Sequence, residues 1–379
     1  MAAATVAGRA HLSQALPMKV LFLRANPRKT GYTQRLADLF AQGLREVGAE
    51  VADIDLTGVT ITRCEGCYHC WLATPGQCVH HDDMTRLLEQ ILAADVLVCA
   101  TPIYYYSMSS CLKSFFERTF PLAKPGLVPS ARGATRNSTR YPEQWRGKKL
   151  ITIVTGALRD PELYRPANET FQLIADSLDL ELGGQLTRPE SYLLDYPLSK
   201  PKTLKTIETA FIQAGREAGS TGRLSSDTIA AAAAPLAVSD EHFRVYSNIF
   251  WECAVELGDR TIDLAEVQKR VAGDVRILMR EMVRCLDPQA TARVKAVLQF
   301  EFSGPAQIYR VEIDSGRCTL AEGSAAHPDL RIRCASATWA ALFMRQIDAR
   351  EALRNRQIVL EGNRSLFARL DRFFPPPAS

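Results

Sequence analysis

The sequence contains no run of consecutive apolar residues long enough to cross a membrane, which takes roughly 18 of them. Its most apolar segments, such as 96–100 and 150–154, are only long enough for buried strands. An excess of one charge is also missing, since 46 Lys and Arg face 42 Asp and Glu, a net charge of +4. A nucleic-acid-binding protein would concentrate positive charge on one module. We therefore expect neither a membrane span nor a nucleic-acid partner.

The first 17 residues lack acidic side chains and the apolar core of roughly 7–15 residues that a secretory signal needs. We expect a flexible tail over residues 1–17, with an organellar transit peptide as the alternative. Ten cysteines without a secretion signal indicate a reducing compartment. Clustered cysteines there bind metals or carry out redox chemistry more often than they form disulfides. The sequence accordingly predicts a cytoplasmic protein.

The first half of the chain alternates between strand-like and helix-like segments. The predicted strands are 19–23, 51–56, 95–100, 149–155 and 180–187, and the predicted helices are 33–47, 82–93, 107–118, 168–178 and 203–218. This alternation predicts an α/β fold with a doubly wound, parallel five-stranded sheet. Ligands of such folds bind beyond the carboxyl ends of the strands.

The pattern changes after a low-complexity stretch, Ala230–Pro235, which is typical of a linker or hinge. Beyond it we predict two helices, 241–257 and 267–286, and then strands of alternating pattern at 297–302, 308–313, 318–321 and 330–334, two of which a turn at 314–316 joins as a hairpin. These elements predict a separate, smaller α+β domain. We place the α/β domain at 18–225, a linker with connecting helices at 226–274, and the second domain at 275–379.

Three turn-rich segments follow predicted strands, so the fold would bring them to one edge of the sheet. The first, 24–33, joins a strand to a helix, and its N–H groups suit a phosphate. Its candidate ligands are Asn26, Arg28, Thr30 and Thr33. Because the turn holds a single glycine, it is neither a Walker loop nor a dinucleotide fingerprint. An ordinary strand–helix turn is the alternative interpretation.

The second segment, 101–109, contains three consecutive tyrosines, which would form a flat aromatic wall beside a planar ligand. The third, 155–157, has a glycine that would let backbone groups approach the edge of a ring. The candidate ligand-binding residues in these two segments are Thr101, Pro102, Ile103, Tyr104, Tyr105, Thr155 and Gly156.

Residues 18–220 resemble the flavodoxin-fold family of NAD(P)H-dependent FMN reductases and quinone reductases. The segments that carry this resemblance are 19–33, 101–104 and 112–113. Within the first turn Pro27, Arg28, Gly31 and Thr33 match the family, whereas Tyr32 stands where asparagine is common.

The resemblance implies an FMN cofactor, NAD(P)H as co-substrate and a homodimer in which the neighbouring subunit completes the flavin site. The implied reaction passes hydride from the nicotinamide to flavin N5 and then to a quinone-like or other small acceptor, and the flavin carries this chemistry without a catalytic side chain. We expect N–H groups of the tyrosine loop and of Gly156 to stabilise negative charge on the N1 side of the reduced ring.

Four cysteines form the most compact motif in the sequence: Cys64, Cys67, Cys70 and Cys78. They are too closely spaced for the separated knuckles of a typical zinc site, and they resemble the run that binds a [4Fe-4S] cluster in iron–sulfur flavoproteins. The alternatives are free or packed thiols in a structural loop near a dimer interface, and zinc. His69, His80 and His81 flank this loop, where solvated side chains are the simpler interpretation.

Two further segments complete the prediction. The basic stretch 124–149 is interpreted as a solvated, partly mobile loop near the flavin edge. The region 275–375 resembles the sterol-carrier-protein type of lipid-binding domain, on the strand 297–302, the hairpin through Gly316 and the helix with Trp339. That resemblance implies a tunnel for a lipid or other apolar ligand, and the alternative is a filled core that serves docking.

Three functions follow in order of preference. The first is an FMN-dependent NAD(P)H oxidoreductase whose second domain holds or recruits an apolar acceptor. The second is an iron–sulfur flavoprotein that transfers single electrons to a partner protein. The third is a non-catalytic lipid-binding protein built on a degenerate flavodoxin scaffold.

Overall fold

The computed structural model describes residues 16–196, 201–237, 239–257, 264–343 and 346–375. Residues 1–15 of the predicted tail lie outside this part of the chain. The described residues form two compact units, one of residues 1–192 and 205–235 and the other of residues 193–204 and 236–379. No helix in the described ranges is long and apolar enough to cross a membrane.

The first unit contains the following strands and helices in chain order: β1 Lys19–Arg24, α1 Tyr32–Glu46, β2 Glu50–Asp55, α2 His69–Leu72, α3 Met84–Ala93, β3 Val96–Pro102, α4 Ser110–Glu117, β4 Ala123–Pro129, β5 Thr135–Thr139, α5 Pro142–Trp145, β6 Lys149–Thr155, α6 Arg165–Ser177, β7 Glu181–Arg188, α7 Pro201–Thr221 and α8 Ser226–Ala232. Five of its strands form a parallel sheet in the order β2-β1-β3-β6-β7. The predicted doubly wound α/β fold is confirmed.

Alternating side chains of β1 explain why helices cover both faces of this sheet. Leu21 and Leu23 belong to the apolar core that β1 shares with α3, α4 and α6. Phe22 points the other way and packs against Phe40 of α1, with ring centroids 5.7 Å apart. Every side chain named here is buried, as a parallel sheet requires.

The basic stretch 124–149 is not the loop that we predicted. Strands β4 and β5 pair as an antiparallel hairpin, α5 follows, and Trp145 is buried. The sequence did not indicate a strand here, because β4 contains prolines, which are rare inside strands. The pairing register shifts between Ala123 and Leu127, and Pro125 lies in this irregularity, where a strand residue need not donate a backbone N–H to its neighbour.

The predicted linker Ala230–Pro235 is also ordered. Its first residues end α8, whose N-cap Ser225 accepts a hydrogen bond from the N–H of Thr228. Ala232 is completely buried, and α8 contacts β7. Small alanine side chains suit this close approach as well as they suit a hinge. The two units divide directly after Pro235, and the linker itself stays a prediction.

The second unit contains α9 Asp240–Leu257, α10 Leu264–Ala272, α11 Val275–Arg284, α12 Pro288–Thr291, β8 Lys295–Ser303, β9 Gln307–Asp314, β10 Arg317–Glu322, β11 Leu330–Ala335, α13 Ser336–Phe343, α14 Ala349–Arg354, β12 Ile358–Gly362, α15 Arg364–Phe367 and α16 Leu370–Phe373. Its mixed sheet has the order β10-β9-β8-β11-β12, in which only β8 and β11 are parallel. A separate α+β domain is thereby confirmed.

One predicted helix of this unit, 267–286, is divided into α10 and α11. The break comes at Asp274, whose Oδ1 accepts the N–H of Arg276 at 2.9 Å and so caps a new helix. The apolar core lies on one face of the sheet, where Phe300 and Phe302 pack beside Trp339 at centroid distances of 5.1 and 6.1 Å.

Candidate functional site

The three predicted loops meet at the carboxyl edge of the first sheet. The hydroxyls of Thr33 and Thr155 lie 2.5 Å apart and join the first loop to the third. The N–H of Ile103 donates to the carbonyl of Thr155 at 2.8 Å, which joins the second loop to the third. Ser109 Oγ donates to the carbonyl of Ala25 at 2.7 Å and joins the second to the first. The structure thus brings together the loops that the sequence predicted to be neighbours.

The first loop leads into the N-terminus of α1. Gly31 is the N-cap and, having no side chain, cannot cap the helix, and the first turn has no acidic residue. The first N–H groups of a helix have no intrahelical partner, and the helix dipole makes this end favourable for an anion. Arg28 and Thr30 are exposed on the same loop.

Asn26 is the most informative side chain of this loop. It is buried, and its Nδ2 donates to the carbonyl of Arg28 and to Gln34 Oε1, each at 3.0 Å. Its Oδ1 is buried without a hydrogen-bond partner among the described residues. A buried acceptor without a donor is costly, so this atom indicates a polar group that occupies the loop.

The tyrosine loop is a tight hairpin. Tyr104 and Ser107 exchange two backbone hydrogen bonds of 2.9 and 3.0 Å, and the two residues between them, Tyr105 and Tyr106, have φ of 45° and 65°. Both lie in the left-handed region, as in a type I′ turn, where Asn-Gly is the preferred pair. Tyr105 is 98% exposed. Strain and exposure together are unusual for bulky aromatic residues and point to a role outside the fold.

The buried part of the tyrosine loop is structural. Thr101 is completely buried, and its Oγ1 accepts the N–H of Ser109 at 3.0 Å. The same hydroxyl lies 2.9 Å from the carbonyl of Pro102, to which it donates. Its hydroxyl therefore fixes the course of the loop from inside.

Gly156 packs closely against the neighbouring loops. Its N–H donates to the carbonyl of Arg188 at 3.1 Å, and the N–H groups of Ile103 and Tyr104 also have backbone partners. That N–H groups of the tyrosine loop and of Gly156 stabilise a reduced flavin stays a prediction. A Cβ at Gly156 would lie 2.5 Å from Ile103 Cγ2 and from the Tyr164 hydroxyl. The glycine is needed for packing between loops.

Sequence reasoning missed the residues that support this third loop. The carbonyl of Gly156 accepts the N–H of Ser191, and the carbonyl of Leu158 accepts that of Glu190. Arg188 is completely buried; its Nη1 donates to the carbonyls of Ala232 and Ala234 at 3.1 and 2.6 Å. Burial lowers the pKa of Arg188 to about 10. Nothing in the sequence distinguishes this arginine from the many exposed ones.

A charged cluster at the end of β1 was also missed. Arg24 is buried and forms ion pairs of 2.7 Å with Asp53 and 2.6 Å with Asp38. Nearby, Lys29 pairs with Asp55 at the end of β2. These contacts tie the phosphate-loop candidate to the neighbouring strand.

The four cysteines of the compact motif line a single pocket together with Arg118 and Phe120. Cys67 is exposed, and the others are partly buried. Burial and then the neighbouring thiols, Cys78 foremost, raise the pKa of Cys70. Among the described residues, no three His, Cys, Asp or Glu side chains stand close enough together to hold a metal ion. The four thiols are therefore gathered in one pocket, and a cluster on them stays a prediction.

Arg118 closes the cysteine loop. Its guanidinium donates to Asp82 at 2.7 and 3.0 Å and to the carbonyl of Thr62 at 2.5 Å, and it interacts with Cys78. Although burial opposes the charge, the hydrogen bonds from Arg118 lower the pKa of Asp82 to about 2. Both ends of the loop are thereby fastened to the residue that follows α4.

Comparisons with known proteins agree with this description. The sequence profile of the NADPH-dependent FMN reductase family matches residues 18–161, and that of the SCP-2 sterol transfer family matches residues 278–375. A Bacillus subtilis protein named for NAD(P)H-dependent FMN-containing oxidoreductases is 33% identical over 183 residues, which span 47% of this chain and 91% of that protein.

An iron–sulfur flavoprotein of Archaeoglobus fulgidus is 31% identical over 116 residues, or 31% of this chain. The chain spans about half the length of the iron–sulfur flavoproteins that it matches, 50% in this case. Among solved structures, an FMN-dependent NADH-azoreductase of Bacillus anthracis in complex with FMN is 13% identical at a TM-score of 0.41. That likeness covers 53% of this chain and 99% of the azoreductase.

Proposed function

The chain belongs to the NADPH-dependent FMN reductase family, and we propose that it is an FMN-dependent NAD(P)H oxidoreductase that reduces a quinone-like or other small acceptor. One observation carries this proposal. Three hydrogen-bonded loops meet at the N-terminus of α1 and at the buried oxygen of Asn26, which has no hydrogen-bond partner among the residues that the structure describes.

The residues of the first loop fit the phosphate of FMN. The N-terminus of α1 offers N–H donors, Arg28 offers a charge that solvent can reach, and the Thr33 hydroxyl is 2.5 Å from that of Thr155. Asn26 needs a donor for its Oδ1, which a bound water or a ribityl hydroxyl would supply. We assign Asn26, Arg28, Thr30 and Thr33 to this end of the cofactor.

The residues of the other loops hold the ring. FMN, when bound, accepts hydride from the nicotinamide at N5 and passes electrons on to the acceptor. The exposed rings of Tyr104 and Tyr105 supply an aromatic surface beside it, and Pro102 and Ile103 supply the apolar edge. Thr155 and Gly156 set the position of this wall through their contacts with Ile103.

A homodimer belongs to this proposal. Tyr105 projects into solvent with 98% of its surface exposed, and a second subunit over this edge would cover it. We also place the protein in the cytoplasm, because all ten of its cysteines are free thiols.

The experiment that tests the function measures FMN stoichiometry and reduction of the bound flavin by NADH and by NADPH. We expect one FMN per chain and bleaching of the flavin band, with reoxidation by quinones. Asn26→Asp should weaken FMN binding at least tenfold, because it sets a negative charge beside the phosphate. Asn137→Asp, in the exposed hairpin, is the matched control. A chain that takes up no FMN would refute the proposal.

A second candidate is an electron carrier with an iron–sulfur cluster, favoured by the shared pocket of Cys64, Cys67, Cys70 and Cys78. Helix α4 begins directly after the tyrosine loop, and Glu117 at its end and the following Arg118 line this pocket. Iron and sulfide assays on protein purified without oxygen decide the matter. Iron and sulfide that disappear in Cys67→Ser would support this candidate, and their absence would leave the simple flavin reductase.

The second domain adds a proposal about the acceptor. Its match to a sterol transfer family suggests an apolar ligand, a lipid or a hydrophobic quinone. The packed aromatic side chains of Phe300, Phe302 and Trp339 show where such a ligand would have to displace the core. Binding of one FMN per chain would dismiss the remaining alternative, a non-catalytic lipid-binding protein.

A further inference from the structure

A cleft in the second unit lies between the first half of α9 and the face of α11. Its volume of about 170 Å³ is roughly ten times the space that one water molecule needs. Only its α11 wall falls within the part of the chain that the sterol transfer family covers, and the FMN reductase family covers neither wall. Unlike the apolar core beside the sheet, this cleft is lined mainly by polar and charged side chains.

The buried carboxylate of the cleft lies between two nitrogen-bearing side chains. Glu281 is only 5% exposed; its Oε2 pairs with Arg284, and its Oε1 lies 2.8 Å from His242 Nδ1 without a well-directed hydrogen bond among the described residues. These neighbours offset the cost of burial and lower the pKa of Glu281. Because Arg284 contacts Glu281 through one nitrogen, its other N–H groups remain for a ligand.

The second acidic residue of the cleft is a weak competitor. Arg280 Nη1 lies 3.6 Å from Glu241 Oε1, and the Glu241 side chain is 77% exposed. Solvent screens such an exposed pair, so it contributes little and a ligand can replace it. Arg280 and Arg284 stand one helical turn apart on α11, so both guanidinium groups face the same side of the helix.

Several hydrogen-bond donors line this cleft. Ser239 Oγ accepts the N–H of His242 at 3.1 Å, which leaves its O–H to donate. Arg280 and Arg284 add guanidinium N–H groups from one side of α11. Guanidinium and hydroxyl donors suit a ligand with acceptor oxygens.

We propose that this cleft binds a small anion, a carboxylate or a phosphate, through Arg280 and Arg284, and that Val245 and Ile277 contact the apolar part of an organic ligand. The planar guanidinium groups match either oxyanion with paired hydrogen bonds. Tyr246 closes the apolar side of the cleft. The proposal is independent of the flavin chemistry of the first unit.

The test is calorimetric titration of the full-length, FMN-saturated chain at low ionic strength with sodium hexanoate, sodium phosphate and neutral hexanol. We expect one hexanoate or phosphate per chain and a dissociation constant that rises with added salt. Arg280→Gln should weaken binding about tenfold or more, because it removes a charge-assisted hydrogen bond. Arg310→Gln is the control, since it removes the same charge from an exposed pair on β9.

The outcomes separate the two ligand sources. Tighter hexanoate identifies a carboxylate with an apolar tail, and phosphate alone identifies a phosphate site. Binding of hexanol equal to that of hexanoate, equal losses in both variants, or no heat with either anion would overturn the proposal. Should Arg280→Gln fail to fold, protection of Arg280 in the unaltered chain from phenylglyoxal by hexanoate serves instead, and an unprotected Arg280 would equally overturn it.

Discussion

Replacing Tyr105-Tyr106 by Asn-Gly should make the protein more stable, although it deletes two aromatic side chains. Both tyrosines occupy the left-handed region, which costs an ordinary residue about 1–2 kcal/mol. Glycine at the second position cancels about 0.5–1 kcal/mol of this gain, because it loses more conformational entropy on folding than tyrosine does. Tyr105 loses almost no buried surface, since it is 98% exposed. We expect a net gain of about 1–2 kcal/mol.

Thermal unfolding followed by circular dichroism measures this gain, with and without FMN. A unit of this size shifts its melting temperature by about 2–4 °C per kcal/mol, so the double variant should melt about 2–8 °C higher. The same variant should bind FMN or reduce acceptors several-fold less well, because an aromatic contact contributes about 0.5–1.5 kcal/mol.

Tyr68→Asn is the control for this experiment. Tyr68 also has a left-handed backbone, with φ of 55°, but it belongs to the cysteine loop. It should gain stability and keep flavin binding. A lower melting temperature of the double variant would refute the claim that the left-handed backbone of the two tyrosines costs stability. Unchanged flavin binding and turnover would refute a role for their side chains.

Three further predictions follow from buried contacts. Asp82→Asn should destabilise the chain by about 3 kcal/mol in urea unfolding at pH 7, because it leaves Arg118 buried without its charge partner. The native-state pKa of Asp82, about 2, lies below its unfolded value, so its ionisation contributes roughly 2 kcal/mol of stability above pH 4. This contribution is lost as the pH falls towards 2. If the variant and the wild type differ in stability by the same amount at pH 7 and near pH 2, the reasoning is contradicted. Arg188→Met should raise the FMN dissociation constant about tenfold, whereas Arg223→Gln, which breaks an exposed pair, should not; equal effects would show that Arg188 has no special role. Gly156→Ala should cost about 1–3 kcal/mol and weaken FMN binding, since its methyl would lie 2.5 Å from neighbouring side-chain atoms, and a variant as stable as wild type would show that the loops adjust.

The spacing of apolar residues and the positions of turn-forming residues were sufficient to predict the α/β fold of the first unit. The apolar run of β1 and the helical spacing of α1 are local signals, and the parallel sheet follows from their alternation. The same reasoning placed three loops at one edge. It failed at the proline-containing strand β4, where composition admits both a loop and a strand.

The interior of the site escaped sequence reasoning for a different reason. Hydrogen bonds such as that between Gly156 and Arg188 join residues 32 positions apart and involve backbone atoms that every residue has. Burial of Arg188 depends on carbonyl groups of Ala232 and Ala234, which no side-chain pattern reveals. Charge balance between distant residues, as at Arg118 and Asp82, is likewise visible only after folding.

The attachment of Arg188 to the end of α8 sets where the flavin domain can be separated from the rest of the polypeptide. The family profile ends at residue 161, before β7 begins. A fragment cut at residue 225 would keep β7 but would expose a completely buried guanidinium that has lost two carbonyl partners. We therefore expect a flavin-domain fragment that ends at residue 235 to be more stable than one that ends at residue 225, because only the longer one keeps both carbonyl partners of Arg188.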